Sequence, residues 1–235
     1  MRALGASDLL ALWERGAARH GLDRSALLGA YARPDLPPEA ITDLPLGEIT
    51  TTLLRLREAN FGALIHSHVD CEQCGQRLEL TLDVRSLLQP VPNEATGARA
   101  IDGSGLLVRA PTLRDLAAVA NETDAGSAAR RLLERCTTEG DVASLSDAAL
   151  TELEDALEAA DPNADLAFDV HCEACGHRST AQLDAGELLW EEIDVRARAL
   201  LAEVHLLARA YGWREGEILA LSPARRTSYL SMVAA

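Results

Sequence analysis

Four cysteines stand in two near-copies of one motif, 101 residues apart. The first reads Cys71-Glu-Gln-Cys74-Gly75-Gln-Arg77 and the second Cys172-Glu-Ala-Cys175-Gly176-His-Arg178. Each copy runs on to a Leu-Asp pair, Leu82-Asp83 and Leu183-Asp184. The CxxC spacing lets two thiolates converge on one metal ion, and the following glycine supplies the positive φ of a tight knuckle. Two knuckles together offer four thiolates. A shell of four leaves no open position for water or substrate, which predicts a structural zinc held by Cys71, Cys74, Cys172 and Cys175 rather than a catalytic one. A redox dithiol of the thioredoxin type would open a helix after a strand, whereas here the motif is duplicated together with flanking strand patterns. His66, His68, His171 and His177 flank the knuckles and could substitute as ligands. With four thiolates available they read as outer hydrogen-bond partners or surface residues. The fifth cysteine, Cys136, sits in a helical pattern and reads as a packing residue.

The elements that must position these ligands follow from periodicity. Leu64, Ile65, His66, His68 and Val69 lead into the first knuckle, and Leu78, Leu80 and Leu82 alternate with polar residues after it, which predicts a hairpin with the knuckle at its tip. A second hairpin rises over 166–170, turns at 172–176 and returns over 179–183. The 97 residues between Cys74 and Cys172 would cost roughly 4 kcal/mol to close as a flexible loop, against roughly 10 to 16 kcal/mol from a structural zinc.

Before the first hairpin, Ser7 is a candidate cap for a helix carrying Leu9, Leu10, Leu12 and Trp13, and Asp23 for a second through Leu27, Leu28 and Tyr31. Pro34, Pro37, Pro38 and Pro45 predict a helix-free linker, and helical spacing resumes over 48–61. Between the hairpins, residues 89–104 read as a loop from Pro90, Pro92, Gly97 and Gly103. A short strand is expected at 106–110, a helix capped by Thr112, and further helices over 125–137 and 146–160. The nine acidic and no basic residues over 139–165 read as a solvated face. After the second hairpin, Leu189, Ile193, Ala197, Leu200, Val204, Leu207 and Tyr211 mark a long amphipathic helix over 186–211. Two short helices follow, the last with Ser222 as cap and Pro223 at its first position.

The chain has 235 residues, 48% of them hydrophobic, enough for a substantial core. Its 22 basic residues, all arginine, are outweighed by 37 acidic ones, so a formal charge of -15 disfavours nucleic acid and anionic membranes as partners. No apolar run reaches 18 residues, and cysteine usage fits a reducing compartment, so a cytoplasmic, soluble protein is expected. No Ser/His/Asp arrangement, phosphate loop or HExxH motif is present; Glu191-Glu192 reads as ordinary helix surface, and no small-molecule substrate is implied. A zinc-ribbon nucleic-acid-binding or transcription-associated adaptor is the alternative of another class, with the charge balance against it. Four of the eight aromatics lie in the last 46 residues. Core packing is one account of them. A partner-binding surface formed by Tyr211, Trp213, Arg225, Arg226 and Tyr229 is the other, since aromatics and arginines supply interface anchors.

Several segments taken together resemble a known family. They are Leu9-Leu-Ala-Leu-Trp13-Glu-Arg, Arg109-Ala-Pro-Thr-Leu-Arg-Asp115-Leu, the paired CxxCG knuckles, and a tail from Glu203-Val-His through Tyr211-Gly-Trp213 to Arg225-Arg-Thr-Ser-Tyr-Leu230. The chain is similar to proteins of contractile injection system clusters and to baseplate hub assembly proteins of contractile-tailed phages. That resemblance implies a non-enzymatic protein, a chaperone or a component of a tail-like particle, that contacts baseplate or other tail proteins. The expected fold is α+β and mainly helical, with a four-cysteine zinc ribbon built from two distant β-hairpins. Its expected segments are an N-terminal helical part (1–61), the first hairpin (62–88), a helical insertion (89–165), the second hairpin (166–184) and a C-terminal helical tail (185–235).

Overall fold

The computed structural model describes residues 3–88, 99–101, 106–142, 145 and 147–233. The fold is mainly helical with small antiparallel sheets, as the periodicity predicts. Helices α1 (Ala6–Gly16), α2 (Gly21–Ala32) and α4 (Leu46–Phe61) pack with the first half of α9 (Ala185–Tyr211). Leu10, Leu28, Leu53, Leu54, Leu56, Leu189, Ile193 and Leu200 meet in their shared core. The spacing of these leucines and isoleucines follows one face of each helix, so every helix contributes one apolar stripe. Buried Arg57 ties α4 to α9 through a forked pair of bonds with Glu192, and it also donates to the Gly62 carbonyl at the C-terminus of α4. Glu192 is therefore a partner of the core, while its neighbour Glu191 is exposed.

Three local expectations differ from the structure. Helix α1 begins one residue before Ser7, with Gly5 in the capping position, and α2 is capped by the His20 ring, which accepts from the Leu22 N–H, rather than by Asp23. The proline linker also contains a single helical turn, α3 (Pro38–Ile41), because a proline at the first helical position gives up an N–H that would have no partner there.

The first hairpin pairs β1 (Leu64–Asp70) with β2 (Arg77–Asp83), and the second pairs β6 (Leu166–His171) with β7 (Arg178–Leu183). The two remain separate two-stranded sheets. The repeated Leu-Asp pair has a structural reason. Leu82 and Leu183 both pack on the main core, and each following aspartate caps a helix, Asp83 for the short α5 (Val84–Leu87) and Asp184 for α9. Each hairpin thus enters the core at its base and projects its knuckle outward.

The insertion holds its own small core of Leu106, Val108, Leu133, Val142 and Leu153. Strands β3 (Arg99–Ile101), β4 (Leu106–Val108) and β5 (Thr137–Glu139) form one sheet, with α6 (Leu113–Val119), α7 (Ala125–Cys136) and α8 (Asp147–Ala160) around it. Residues 99–101, read as loop, are therefore strand. Their isolated sequence is too short to show the pairing that β4 provides. The rest of the expected loop, 89–98 and 102–104, and the expected cap Ser146 lie outside the described residues. Thr112 does cap α6, in a reciprocal capping box with Asp115. Buried Asp115 also receives Arg109 at 2.6 Å and Arg135 at 3.0 Å. Burial opposes its charge, but the bonds from Arg109 and Thr112 outweigh that and hold its pKa below the usual carboxylate value.

The acidic run 139–165 is not wholly a solvated face. Asp161 is 2% exposed and accepts a 2.9 Å bond from the Gly47 N–H in the first turn of α4. It serves as a cap delivered from 114 residues away. A side chain on Gly47 would run into the Asp161 carboxylate, which explains the glycine. Burial raises the pKa of Asp161.

The second half of α9 packs on α10 (Glu215–Leu219) and α11 (Pro223–Val233) around Val204, Leu207 and Ile218. Gly212 ends α9 at φ 69°, where other residues are strained. Among the described residues, no helix is long and apolar enough to cross a membrane.

Candidate metal centre

Each knuckle is closed by the same two backbone bonds. In the first, the Cys71 N–H donates to the Gln76 carbonyl at 2.9 Å and the Gly75 N–H to the Cys71 carbonyl at 2.8 Å. In the second, Cys172 donates to His177 and Gly176 to Cys172, both at 2.8 Å. Gly75 and Gly176 hold φ of 72° and 77°, and neither has a neighbour that a Cβ would strike, so backbone conformation alone demands glycine.

The knuckles meet tip to tip. All four Sγ atoms lie within 4.8 Å of one another. Cys71 and Cys175 are 3.7 Å apart, as are Cys74 and Cys172. These distances exclude disulfides, whose sulfurs sit about 2.05 Å apart. They fit a tetrahedron of thiolates, because a metal–sulfur bond of about 2.3 Å gives edges of about 3.8 Å. Cys71 and Cys172 are buried, and Cys74 and Cys175 face solvent.

The four thiols of the shell are not electrostatically equivalent. Backbone N–H groups, first that of Cys74, stabilise the Cys71 thiolate and bring its pKa down to about 6. At Cys175 the His177 N–H also favours the thiolate, but desolvation and crowding by the other three sulfurs prevail and push the pKa up to about 12. All four could be thiolates together only with a positive charge among them. The donor set is therefore one that could hold a metal ion, with each knuckle contributing two ligands and its folded turn the geometry.

His66, His68 and His171 are exposed and His177 half-exposed, and among the described residues the metal-competent cluster contains only the four cysteines. Cys136 lies far from it in the insertion, 1% exposed, its thiol pushed up to about 11 by burial. In the tail, Tyr211 stacks on Trp213 with ring centroids 4.7 Å apart, and Tyr229 meets both edge-on. Arg225 is exposed. Arg226 is 2% exposed, paired to Glu203 at 2.7 Å and bonded to the Leu221 carbonyl, so it fastens α11 to α9 from inside. No sequence pattern distinguishes these adjacent arginines, since the choice depends on how α11 lies against α9.

The family model for T4 bacteriophage base plate proteins matches residues 30–186. The chain belongs to this family. The matched span contains both knuckles of this base plate protein and the insertion between them. It stops at the start of α9, and the tail that contributed to the resemblance lies beyond it. Comparison with curated proteins and with solved structures gave no significant match.

Proposed function

We propose that this base plate protein is a non-enzymatic assembly or structural component of a phage-tail-like contractile injection system. It acts through contacts with other tail proteins and is stabilised by one structural zinc. The observation that carries the reading is the family match across both knuckles, joined to a shell of four cysteines with no fifth protein ligand among the described residues. Zinc is favoured over other ions because four thiolates at tetrahedral spacing suit a soft ion without redox demands. Its contribution would be structural. It would join two hairpin tips that share no strand pairing.

Tyr211, Trp213, Arg225 and Tyr229 form the proposed contact surface, with Arg226 as the support beneath them. Half-exposed stacked aromatics beside an exposed arginine are the groups that anchor protein interfaces. The test is assembly. Deleting the gene in the source organism should leave tails without complete baseplates, and tagged protein should co-purify with baseplate components. Complete, functional tails in the deletion strain would overturn the proposal. Exchanging Tyr211 and Arg225 for alanine should weaken co-purification while leaving the melting temperature nearly unchanged.

A further inference from the structure

Between the two hairpins lies a cleft of about 640 Å³, lined by residues 76–80 of the first hairpin and by Asp169, Val170, His171, Glu173 and Ala174 of the second. A cleft over the face of a two-stranded sheet draws its lining from both strands, whereas this one draws on β2 without β1 and on β6 and the second knuckle without β7. Its walls are therefore strand edges, β2 on one side and β6 on the other.

The backbone groups on those edges can be identified. In an antiparallel ladder, pairs that exchange hydrogen bonds alternate with pairs that do not. The Cys71 N–H bonds to Gln76 and the Val84 N–H to Ala63, which fixes Val69–Leu78 and Ser67–Leu80 as bonded pairs. Arg77 and Glu79 then turn their N–H and C=O groups away from β1, into the cleft. By the same rule the Cys172 to His177 bond fixes Val170–Ser179 as a bonded pair and turns Asp169 and His171 outward from β7. Among the described residues no backbone–backbone hydrogen bond reaches either edge, although the Gln76 side chain donates to the Arg77 carbonyl at 3.2 Å.

We propose that this cleft receives one extended segment of a partner protein, which adds as a central strand between β2 and β6. A helix would bring no free backbone groups to the walls, whereas an extended chain presents donors and acceptors at the spacing of both edges. Both hairpin bases join the main core and both tips meet at the cysteines, so β2 runs from tip to base and β6 from base to tip, and the segment lies parallel to one wall and antiparallel to the other.

The lining also specifies the side chains. Leu78 and Leu80 offer apolar surface above the buried Val170, while Glu79, Asp169 and Glu173 outnumber His171 and Arg77, the latter already paired with Asp70. The segment accordingly alternates apolar with basic residues. A second copy of this chain, with a formal charge of -15, is a poor occupant. The inference deepens the assembly reading by naming how one partner is held, and it does not involve the aromatic tail.

The test uses the full chain as purified and a short capped, fluorescently labelled peptide alternating valine and arginine over about five residues. Binding is read by anisotropy. Glu79→Pro removes an outward N–H without touching a β1–β2 bond, and Glu79→Ala controls for the lost charge. Glu79→Pro is expected to bind about tenfold more weakly than Glu79→Ala, and a peptide methylated on alternate backbone nitrogens should bind about tenfold more weakly than its parent. Equal binding by the two variants and by both peptides, or no binding at about 1 mM peptide, overturns the proposal. Because the tail surface is intact in each variant, unchanged co-purification with baseplate components beside a failed peptide assay removes the cleft and leaves the assembly reading standing.

Discussion

Removing the metal should open the two knuckles and little else. Each tip is held by two backbone bonds, and no strand joins one hairpin to the other. An isolated two-stranded hairpin is marginal in water. The hairpin bases, by contrast, are locked into the main core, with Ile65 and Val84 fully buried and Leu166 nearly so. At a free-metal concentration a thousandfold above Kd, binding contributes about 4 kcal/mol, or a factor of about a thousand in the protection of amides that only the metal holds. Chelation, or Cys172→Ser, should therefore cost the amides of 70–77 and 171–178 about three orders of magnitude in protection by hydrogen exchange. Amides of α4 and the first half of α9 should change little. In the loaded protein the 3.7 Å sulfur edges predict four sulfur neighbours at about 2.3 Å by X-ray absorption. Tips that stay protected after complete metal removal would refute the reasoning, as would a first shell containing nitrogen or oxygen.

Other consequences are open to the same kind of measurement. Asp161→Asn keeps an acceptor for the Gly47 N–H but removes a carboxylate whose pKa burial raises. Such a group favours the folded state below its unfolded pKa of about 3.9, and that contribution is lost as pH rises through the folded pKa. The stability of the variant relative to the parent should thus increase with pH above about 4 in urea melts. Asp115→Ala should cost about 2–3 kcal/mol, less than a fully buried pair, because Arg109 and Arg135 keep about a third of their surface and can be rehydrated. Arg226→Ala should destabilise the tail by about 2–3 kcal/mol, whereas Arg225→Ala should stay within about 0.5 kcal/mol; equal effects in thermal denaturation would contradict their different burial.

The features legible in the sequence are those set by near neighbours. Two thiolates, a glycine at positive φ and flanking alternation are properties of a dozen contiguous residues, so each knuckle could be read before its partner was placed. Duplication then supplied the second half of the shell. The helices carrying regular leucine and isoleucine stripes were legible for the same reason, as was the Thr112 cap. Strands of three residues were not, because β3 and β5 have no periodicity of their own and exist only against β4. The caps of α1 and α2 are Gly5 and His20 rather than the nearby Ser7 and Asp23, residue types whose capping preference is the stronger local signal.

The sequence by itself determined the donor set, the helical stripes and the strand alternation, because those follow from local backbone geometry and side-chain chemistry. Tertiary structure alone decided which polar residues are functional supports and which are surface. Glu192 meets Arg57 across 135 residues, Asp161 caps a helix 114 residues away, and Arg226 is buried where Arg225 is not. It also decided that the two hairpins remain separate sheets with a cleft between them. The physical reason is common to all of these. Long-range pairing depends on where packed elements bring distant groups, and a carboxylate or guanidinium has the same local signature whether it ends in water or in the core.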